Sequence, residues 1–537
     1  DNVLIFATGP LEGTIVPGGT RFVACARSPL TGGWGEANAA GRFAGQLKRA
    51  GFDAVVITGR AASPVYLYIH QGQAELRDAS HLWGQEVGET IEALQLVTRP
   101  NAAVACIGPA GERQVPFANI MHDYDRAAGR TGMGAVMGSK NLKAVVAWGT
   151  ARVSVADPET LRRLVEASRP SFEKYPISRA FRALGTAAGV DGYNAMGMMP
   201  RHNSQFGYHD PDVVHRISGK AMTDTILVRN AYCPGCTVGC RRVVKVTAGE
   251  SPYGPVDPRY GGPEFETVGA IGSLLGIYDL PGVAKANELC NRYGLDTIQV
   301  GFLIGWAMES YQRGVLTADD TGGLPLTWGN VEAVLTLIQQ MARREGFGEE
   351  LNRGFRYLIE KYGPETAAWA LQVKNQAFAV HMPRGRIGQG LCYGVSNRGA
   401  CHLQGIHDTT PEGGNLAPEI GIDERFKGLS RLSKEGKAEL QVIAQNWRAV
   451  QDSAIVCKFT TWDFGPIMPG ELLAMLNAVT GWDMTIEEMM RCGERAWTLG
   501  RLFNLREGFT RADDYLPARC AESLPEGPTA GSTITRE

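Results

Sequence analysis

Residues 126–147 read RAAGRTGMGAVMGSKNLKAVVA. The closing Lys143-Ala-Val-Val-Ala147 is a short apolar run of the kind a buried strand needs. The part before it, Arg126 to Lys140, is broken by Gly129, Gly132, Gly134 and Gly138. Such a segment, with Arg and Ser between the glycines, can turn N–H groups and guanidinium forks toward phosphate oxygens. The same alternation runs back toward the start of the chain. Val3–Ala7, Ala54–Thr58 and Val65–Ile69 read as strands, separated by PGGTR (17–21), SPLTG (28–32) and NAAG (38–41). Each glycine segment alone is better read as a turn between strands, because none has Walker or dinucleotide spacing.

Residues 1–155 are therefore expected to form a β-rich domain. From about 156 onward helical periodicity takes over. Val331, Val334, Leu335, Ile338 and Met341 fall on one face, with Asn330 placed to cap the start and Gly346 to stop the helix. A second helix is expected over Glu471–Val479. The predicted class is α+β: a β-rich domain (1–155) followed by two mainly helical ones (156–371 and 372–537). The tail Ser523–Glu537, rich in Gly, Pro, Ser and Thr, is expected to be extended.

Composition narrows the function. A chain of 537 residues exceeds one ordinary core. Its 67 glycines are well above the average share of roughly 7% and suit many tight turns or backbone close to a bulky ligand. A net charge of −2 gives no reason to expect nucleic acid or an acidic membrane as partner. No apolar run reaches the roughly 18 residues of a membrane span. Asp1 stands at the edge of an apparent strand, which leads us to expect preceding residues. Eleven cysteines without a dense disulfide pattern favour free or metal-bound thiols in a reducing cytoplasm.

Three of those cysteines lie in CPGCTVGC (233–240), at Cys233, Cys236 and Cys240; Cys457 could complete a tetrahedral set. Thiolates suit zinc or an iron–sulfur cluster. The C-x2-C-x3-C spacing leaves both open, together with a plain pair of buried thiols. Pro234, Gly235 and Gly239 keep the segment out of a regular helix and let N–H groups face the sulfurs. Two further segments, Asn291–Asp296 (NRYGLD) and Asp452–Cys457 (DSAIVC), place a carboxylate where it could accept hydrogen bonds from a heterocycle. The first also reads as a helix C-cap followed by the N-cap of the next helix.

Taken together, SPLTG (28–32), GRFAGQLKRAGFDAVVITG (41–59), AAGRTGMGAVMGSKNLKA (127–144), CPGCTVGC, GGPEFET (261–267), GLDTI (294–298) and SNRGACH (396–402) resemble the tungsten-containing aldehyde:ferredoxin oxidoreductase family over essentially the whole chain. The resemblance implies a β-rich base for a tungsten bis-pterin cofactor, covered by two helical domains. It implies a [4Fe-4S] cluster on Cys233, Cys236, Cys240 and Cys457, with Arg21 between cluster and pterin. Asn38, Ala40, Arg126, Ala127 and Gly129 match positions near the pterin phosphates and their Mg2+. Asn291, Gly294, Leu295 and Asp296, and Asp452 and Val456, match the two pterin-holding motifs. Glu266 and His402 match the proton-transfer pair beside the metal; without the family they read as a helix-start carboxylate and a core histidine.

Three positions depart from the family pattern. Asn291 replaces an aspartate, Gln404 replaces a pterin-contacting lysine, and Lys285-Ala-Asn-Glu288 replaces the Glu-x-x-His that holds a bridging metal in some homodimers. The implied activity is oxidation of an aldehyde to a carboxylic acid, with electrons leaving to ferredoxin or an iron–sulfur partner subunit. A family reductase acting on an aromatic thioester is the alternative on the same scaffold. A cluster-holding subunit without tungsten is the alternative of another class. The lost Glu-x-x-His argues against a metal-bridged homodimer and toward a separate iron–sulfur subunit.

Overall fold

The computed structural model describes residues 2–535, so Asp1 and the last two residues of the expected tail lie outside the described residues. Residues 4–148 build two sheets. The first is antiparallel, in the order β3-β2-β1-β4, from β1 (Leu4–Thr8), β2 (Arg21–Arg27), β3 (Trp34–Ala40) and β4 (Ala54–Ile57). The second follows the order β6-β5-β10-β7-β8-β9, from β5 (Val65–His70), β6 (Gln73–Asp78), β7 (Ala103–Cys106), β8 (Ile120–His122), β9 (Arg126–Ala128) and β10 (Leu142–Trp148). Only β10 and β5 pair in parallel among these strands.

The apolar run 143–147 is explained by burial on both faces. Val145 and Ala147 point into a core with Phe6, Phe22 and Phe43 from the first sheet and its following helix. Ala144 and Val146, alternating with them, face Val87, Ile91 and Leu94 of the helix Val87–Val97. The segment expected to be a glycine loop has more order than that. Arg126–Ala128 is a strand and Met133–Ser139 a helix, joined by a turn in which Arg130, Thr131 and Gly132 all take positive φ (67°, 56° and 80°). Gly134 and Gly138 have no room for a Cβ, which would lie 2.4 Å from the Asn119 carbonyl oxygen and 1.9 Å from that of Gly111. Close backbone packing, not loop flexibility, demands these glycines.

The rest is mainly helical. The helix Val331–Arg343 forms as its periodicity predicts, and Asn330 accepts from Ala333 N–H at 3.1 Å. Its end is different from expectation. Arg344 takes the left-handed cap (φ 58°), and Gly346 begins the next helix, Gly346–Asn352. The second expected helix spans Pro469–Thr480 and is capped by Gly481 in the left-handed region (φ 75°). The tail is not extended: Gly527 (φ 82°) turns it, Gly531 N–H reaches the Leu524 carbonyl at 2.8 Å, and Leu524 is buried. One core gathers residues from Ala187 to Ala400 with Leu30, Val115 and Phe117 of the first domain and Cys520 near the end of the chain, and another joins Leu11 and Val16 to Leu161–Val238 and Ile406–Met489. No helix among the described residues is long and apolar enough to cross a membrane.

Candidate active site

A cavity of about 370 Å3 lies where the first domain meets both helical cores. Its wall holds Arg21, Asn38 and Ala40 from β2 and β3, then Arg126 and Gly129, then all four predicted cysteines. Glu266, His402, Asp452 and Val456 complete the predicted residues there. Residues as far apart in the chain as Arg21 and Cys457 thus share one wall.

The cysteine loop is shaped by its glycines. Gly235 and Gly239 adopt φ of +66° and +65°, and Val238 N–H points at Cys236 Sγ at 3.3 Å. Cys457 is brought in by the first glycine segment: its N–H donates to the Gly18 carbonyl at 3.1 Å. A Cβ on Gly18 would sit 2.3 Å from Thr460 Oγ1 and 3.1 Å from Cys457 Cβ, so that contact requires glycine. Tetrahedral zinc, with Zn–S of about 2.3 Å, would hold its sulfurs about 3.8 Å apart. Among the described residues no three cysteine sulfurs lie within 4.8 Å of one another. All cysteines are free of disulfides.

Around the cavity, cations are plentiful: Arg21, Arg126, Arg130, Arg241, Arg398 and Lys458 all line it. Arg21 donates from Nε to Asn38 Oδ1 and from Nη2 to the Asn38 carbonyl (3.2 Å). Lys458 pairs with Asp452. Several buried polar atoms at or beside this wall make no hydrogen bond within the protein: Asn119 Oδ1, Arg130 Nε, Asp296 Oδ2, Arg398 Nε, Glu266 Oε1 and His402 Nδ1. Buried polar atoms are almost always satisfied. Their concentration here, with the guanidinium groups, suits a polar heterocycle carrying phosphates.

Not every predicted residue reaches the wall. Asn291, Gly294, Leu295 and Asp296 form the cap-to-cap junction that was the alternative reading of NRYGLD. Gly294 (φ 76°) ends the helix Leu280–Tyr293, and Asp296 Oδ1 caps the helix Thr297–Gln312 through Ile298 N–H at 2.9 Å. Asn291 donates to the Tyr260 carbonyl (3.0 Å) and Leu295 bridges to Ala118. Asp296 still addresses the site indirectly, with Oδ2 3.5 Å from Arg130 Nε. Burial raises its carboxyl above the usual range. Ala127 sits in β9 between wall residues, and Gln404 turns away, accepting from Ser396 Oγ (2.6 Å) and donating to Glu36 (3.1 Å). Glu288 is buried and taken by Lys285 (3.0 Å) and Arg292 (2.6 Å), an ion-pair network inside one chain.

The acid–base end of the cavity is the most structured. Glu266 lies in the short helical turn Phe265–Thr267, which runs into a π-helical turn at Val268–Gly272, a feature common at functional sites. Gly269 allows this turn to touch Val380; a Cβ there would lie 2.2 Å from Val380 Cγ1. The approach lets Val380 N–H donate to Glu266 Oε2 at 2.9 Å. The other oxygen, Oε1, is 3.6 Å from His402 Nε2 and 3.2 Å from His381 Nε2. Burial lowers His402 to about 3 against the raising pull of Glu266, so its imidazole is neutral.

His381 and His407 also line this end and were missed in the sequence. They are single histidines in HMPRGR and GIHD, 26 positions apart, with no spacing to mark them. Burial, joined by the Arg386 cation, holds His381 well below the usual value; burial, then the neighbouring His381 ring and the Arg386 cation, does the same to His407. The rings pack closely, the His381 centroid lying 4.9 Å from that of His402 in a tilted pair and 4.3 Å from that of His407 in an edge-on one. Phe265, Tyr193 and Phe464 pack against them.

Known proteins place this arrangement. The family description "Aldehyde ferredoxin oxidoreductase, N-terminal domain" matches residues 1–149, and "Aldehyde ferredoxin oxidoreductase, domains 2 & 3" matches residues 163–537. The tungsten-containing aldehyde ferredoxin oxidoreductase of Pyrococcus furiosus is 40% identical over 541 residues, covering 99% of this chain and 85% of that protein. Its counterpart in Thermococcus kodakarensis is 39% identical over 540 residues, with the same coverage. Among solved structures, the active site complex BamBC of benzoyl coenzyme A reductase, in complex with 1,5-dienoyl-CoA, superposes with a TM-score of 0.80 at 25% identity, covering 96% of this chain and 83% of that one. By sequence along its length and by fold, the chain belongs to the aldehyde ferredoxin oxidoreductase family.

Proposed function

We propose that the protein oxidises an aldehyde to its carboxylic acid, using a tungsten bis-pterin cofactor and passing electrons through a [4Fe-4S] cluster to ferredoxin or an iron–sulfur partner subunit. The observation that carries this reading is the pairing of Glu266 with His402 in the cavity that four cysteines also line. The reductase alternative has weaker support, since the benzoyl-CoA reductase complex shares 25% identity with this chain and the aldehyde-oxidising relatives 39–40%.

Cys233, Cys236, Cys240 and Cys457 would hold the cluster, with Arg21 between it and a pterin. Asn38, Ala40, Arg126, Ala127 and Gly129 would face the pterin phosphates and their Mg2+. Asp296 Oδ2 and the Asp452–Val456 segment would accept from the pterin rings. When bound, the cofactor and cluster supply the two-electron oxidation and its release as single electrons.

The protein's own part is proton handling. One water enters, and two protons and two electrons leave for each aldehyde oxidised. Glu266, fixed at Oε2 by Val380 N–H, is the base that takes a proton from water or the hydrated aldehyde at Oε1. His402, kept neutral by burial, donates a hydrogen bond to the carbonyl oxygen. Leu403, Phe265, Tyr193 and Phe464 exclude water around them and suit an aldehyde with an apolar body.

Metal and pterin analysis of anaerobically purified protein, with an aldehyde-oxidation assay, tests the reading. About one tungsten and four irons per chain are expected for one bis-pterin site and one cubane. Protein replete in iron but free of tungsten and pterin, and inert to aldehydes, would favour the electron-transfer subunit instead.

A further inference from the structure

Arg386 stands just before the helix Ile387–Val395 and is fully buried. No carboxylate pairs with it among the described residues. Its Nη1 donates to His381 Nδ1 at 2.8 Å and to His407 Nδ1 at 3.1 Å; its Nε faces Met198 Sδ at 3.1 Å. The guanidinium lies over the Tyr193 ring, 4.3 Å from the centroid, and Nη2 has no partner. Burying a cation without a counter-ion is among the most costly arrangements in a protein. Packing alone gives no reason for it.

The hydrogen-bond chemistry does. Arginine has five N–H donors, no acceptor, and keeps its proton. Both Nδ1 atoms facing it must therefore accept. A neutral imidazole that accepts at Nδ1 carries its hydrogen on Nε2. On His381 that hydrogen sits at an Nε2 lying 3.2 Å from Glu266 Oε1, within electrostatic reach but not aligned as a hydrogen bond. On His407 it sits at a buried Nε2 with no protein partner, on a ring that lines the cavity. We propose that Arg386 is a positioning residue that locks His381 and His407 with hydrogen on Nε2, so that His381 presents its N–H beside the Glu266 carboxylate and His407 offers a neutral N–H to an oxygen of the substrate. The proposal rests on the reading of Glu266 as the base.

A competing reading is a cation site, because Glu266, His381 and His402 offer ligand atoms within 4.8 Å of one another. A histidine that ligates through Nε2 needs a lone pair there and gives its other N–H to an acceptor. Arg386 puts a donor where that acceptor belongs. The surrounding charges act the same way. His381 faces Arg386, Glu266, His402 and His407, and His407 faces Arg386, His381, His402 and Arg448. Apart from the single carboxylate these are cations or neutral imidazoles, which oppose protonation of either ring. A pair held neutral in this way gives donors whose strength is independent of pH through the working range.

The test is nitrogen NMR of the oxidised holoenzyme labelled at its nine histidines with 15N-imidazole, assigned with His381→Gln and His407→Gln. Both rings should show hydrogen on Nε2 and stay unchanged from about pH 5 to 8, the range where free histidine titrates. In Arg386→Met at least one ring should titrate or switch tautomer, and kcat should acquire a matching new ionisation. Arg386→Lys, which keeps a charged donor, should restore part of the flat profile. His407→Phe should raise KM roughly ten- to a hundredfold, the scale of one buried hydrogen bond, and His407→Gln should recover part of that loss. Hydrogen on Nδ1 of either ring, or titration of either in the wild type, overturns the proposal. So does Arg386→Met with unchanged spectra. If Arg386→Met does not fold, the wild-type spectra decide alone. They decide equally if no aldehyde is oxidised, an outcome that sinks the proposed activity and not the tautomer lock.

Discussion

Replacing Glu266 with glutamine tests the centre of the mechanism with almost no change of volume. In the native site Oε2 accepts from Val380 N–H (2.9 Å), and Oε1 lies 3.2 Å and 3.6 Å from the His381 and His402 Nε2 atoms. An amide can keep its oxygen on Val380 only by turning its NH2 toward the imidazoles. If His381 carries hydrogen on Nε2, donor then faces donor. A buried donor left unmatched costs about 1–3 kcal/mol, a small loss of stability for a protein of this size. The loss of the base should be larger: general acid–base catalysis is worth about 10²–10⁴-fold, or about 3–5 kcal/mol at the transition state. Since the base acts only in the transition state, kcat and kcat/KM should fall together. The assay is anaerobic aldehyde oxidation with a one-electron acceptor, alongside tungsten, pterin and iron contents. Near-normal kcat in fully loaded Glu266→Gln would show that another group takes the proton.

Cys236→Ser should remove the broad visible absorption of the cluster and stop electron transfer to an acceptor; four irons and full activity in that variant would exclude Cys236 as a ligand. Gly269→Ala would drive a methyl to within 2.2 Å of Val380 Cγ1, so it should lower kcat by displacing Val380 N–H from Glu266, and unchanged kcat with intact cofactor would contradict that coupling. Glu12 is buried with neither carboxylate oxygen hydrogen-bonded, and burial lifts its pKa to about 8 from the usual 4.5. Its folded form therefore holds a proton that the unfolded chain has lost between those values, and the stability this gives falls as pH rises through them. Glu12→Gln should accordingly gain on the wild type from pH 5 to pH 8 in denaturant midpoints, and an equal difference at both would refute the assignment. Native mass measurement of the complex tests the partner: with Glu288 held by Lys285 and Arg292, a metal-bridged homodimer is not expected, and finding one without a second polypeptide would rule out the separate iron–sulfur subunit.

Much of this protein is written in local sequence. The run 143–147 specifies a strand buried on both faces because its apolar residues are consecutive and not alternating, and Asn330 with the face from Val331 to Met341 specifies a helix and its start. The C-x2-C-x3-C loop, whose glycines take the two left-handed positions, offers a candidate thiolate site but leaves a plain pair of buried thiols open. Local sequence misjudged what depends on space. Arg344, not Gly346, ends its helix, and Gly134 and Gly138 serve close packing in a helix where a loop was expected. The site shows the same division more sharply. Short motifs could name Glu266 and His402, but nothing in the spacing of HMPRGR and GIHD indicates that Arg386 meets two histidines. Tautomer and charge state belong to a side chain's neighbours and its burial. Those neighbours are assembled from distant parts of the chain only when the cores close, so the chemistry of this cavity was decided by the tertiary structure.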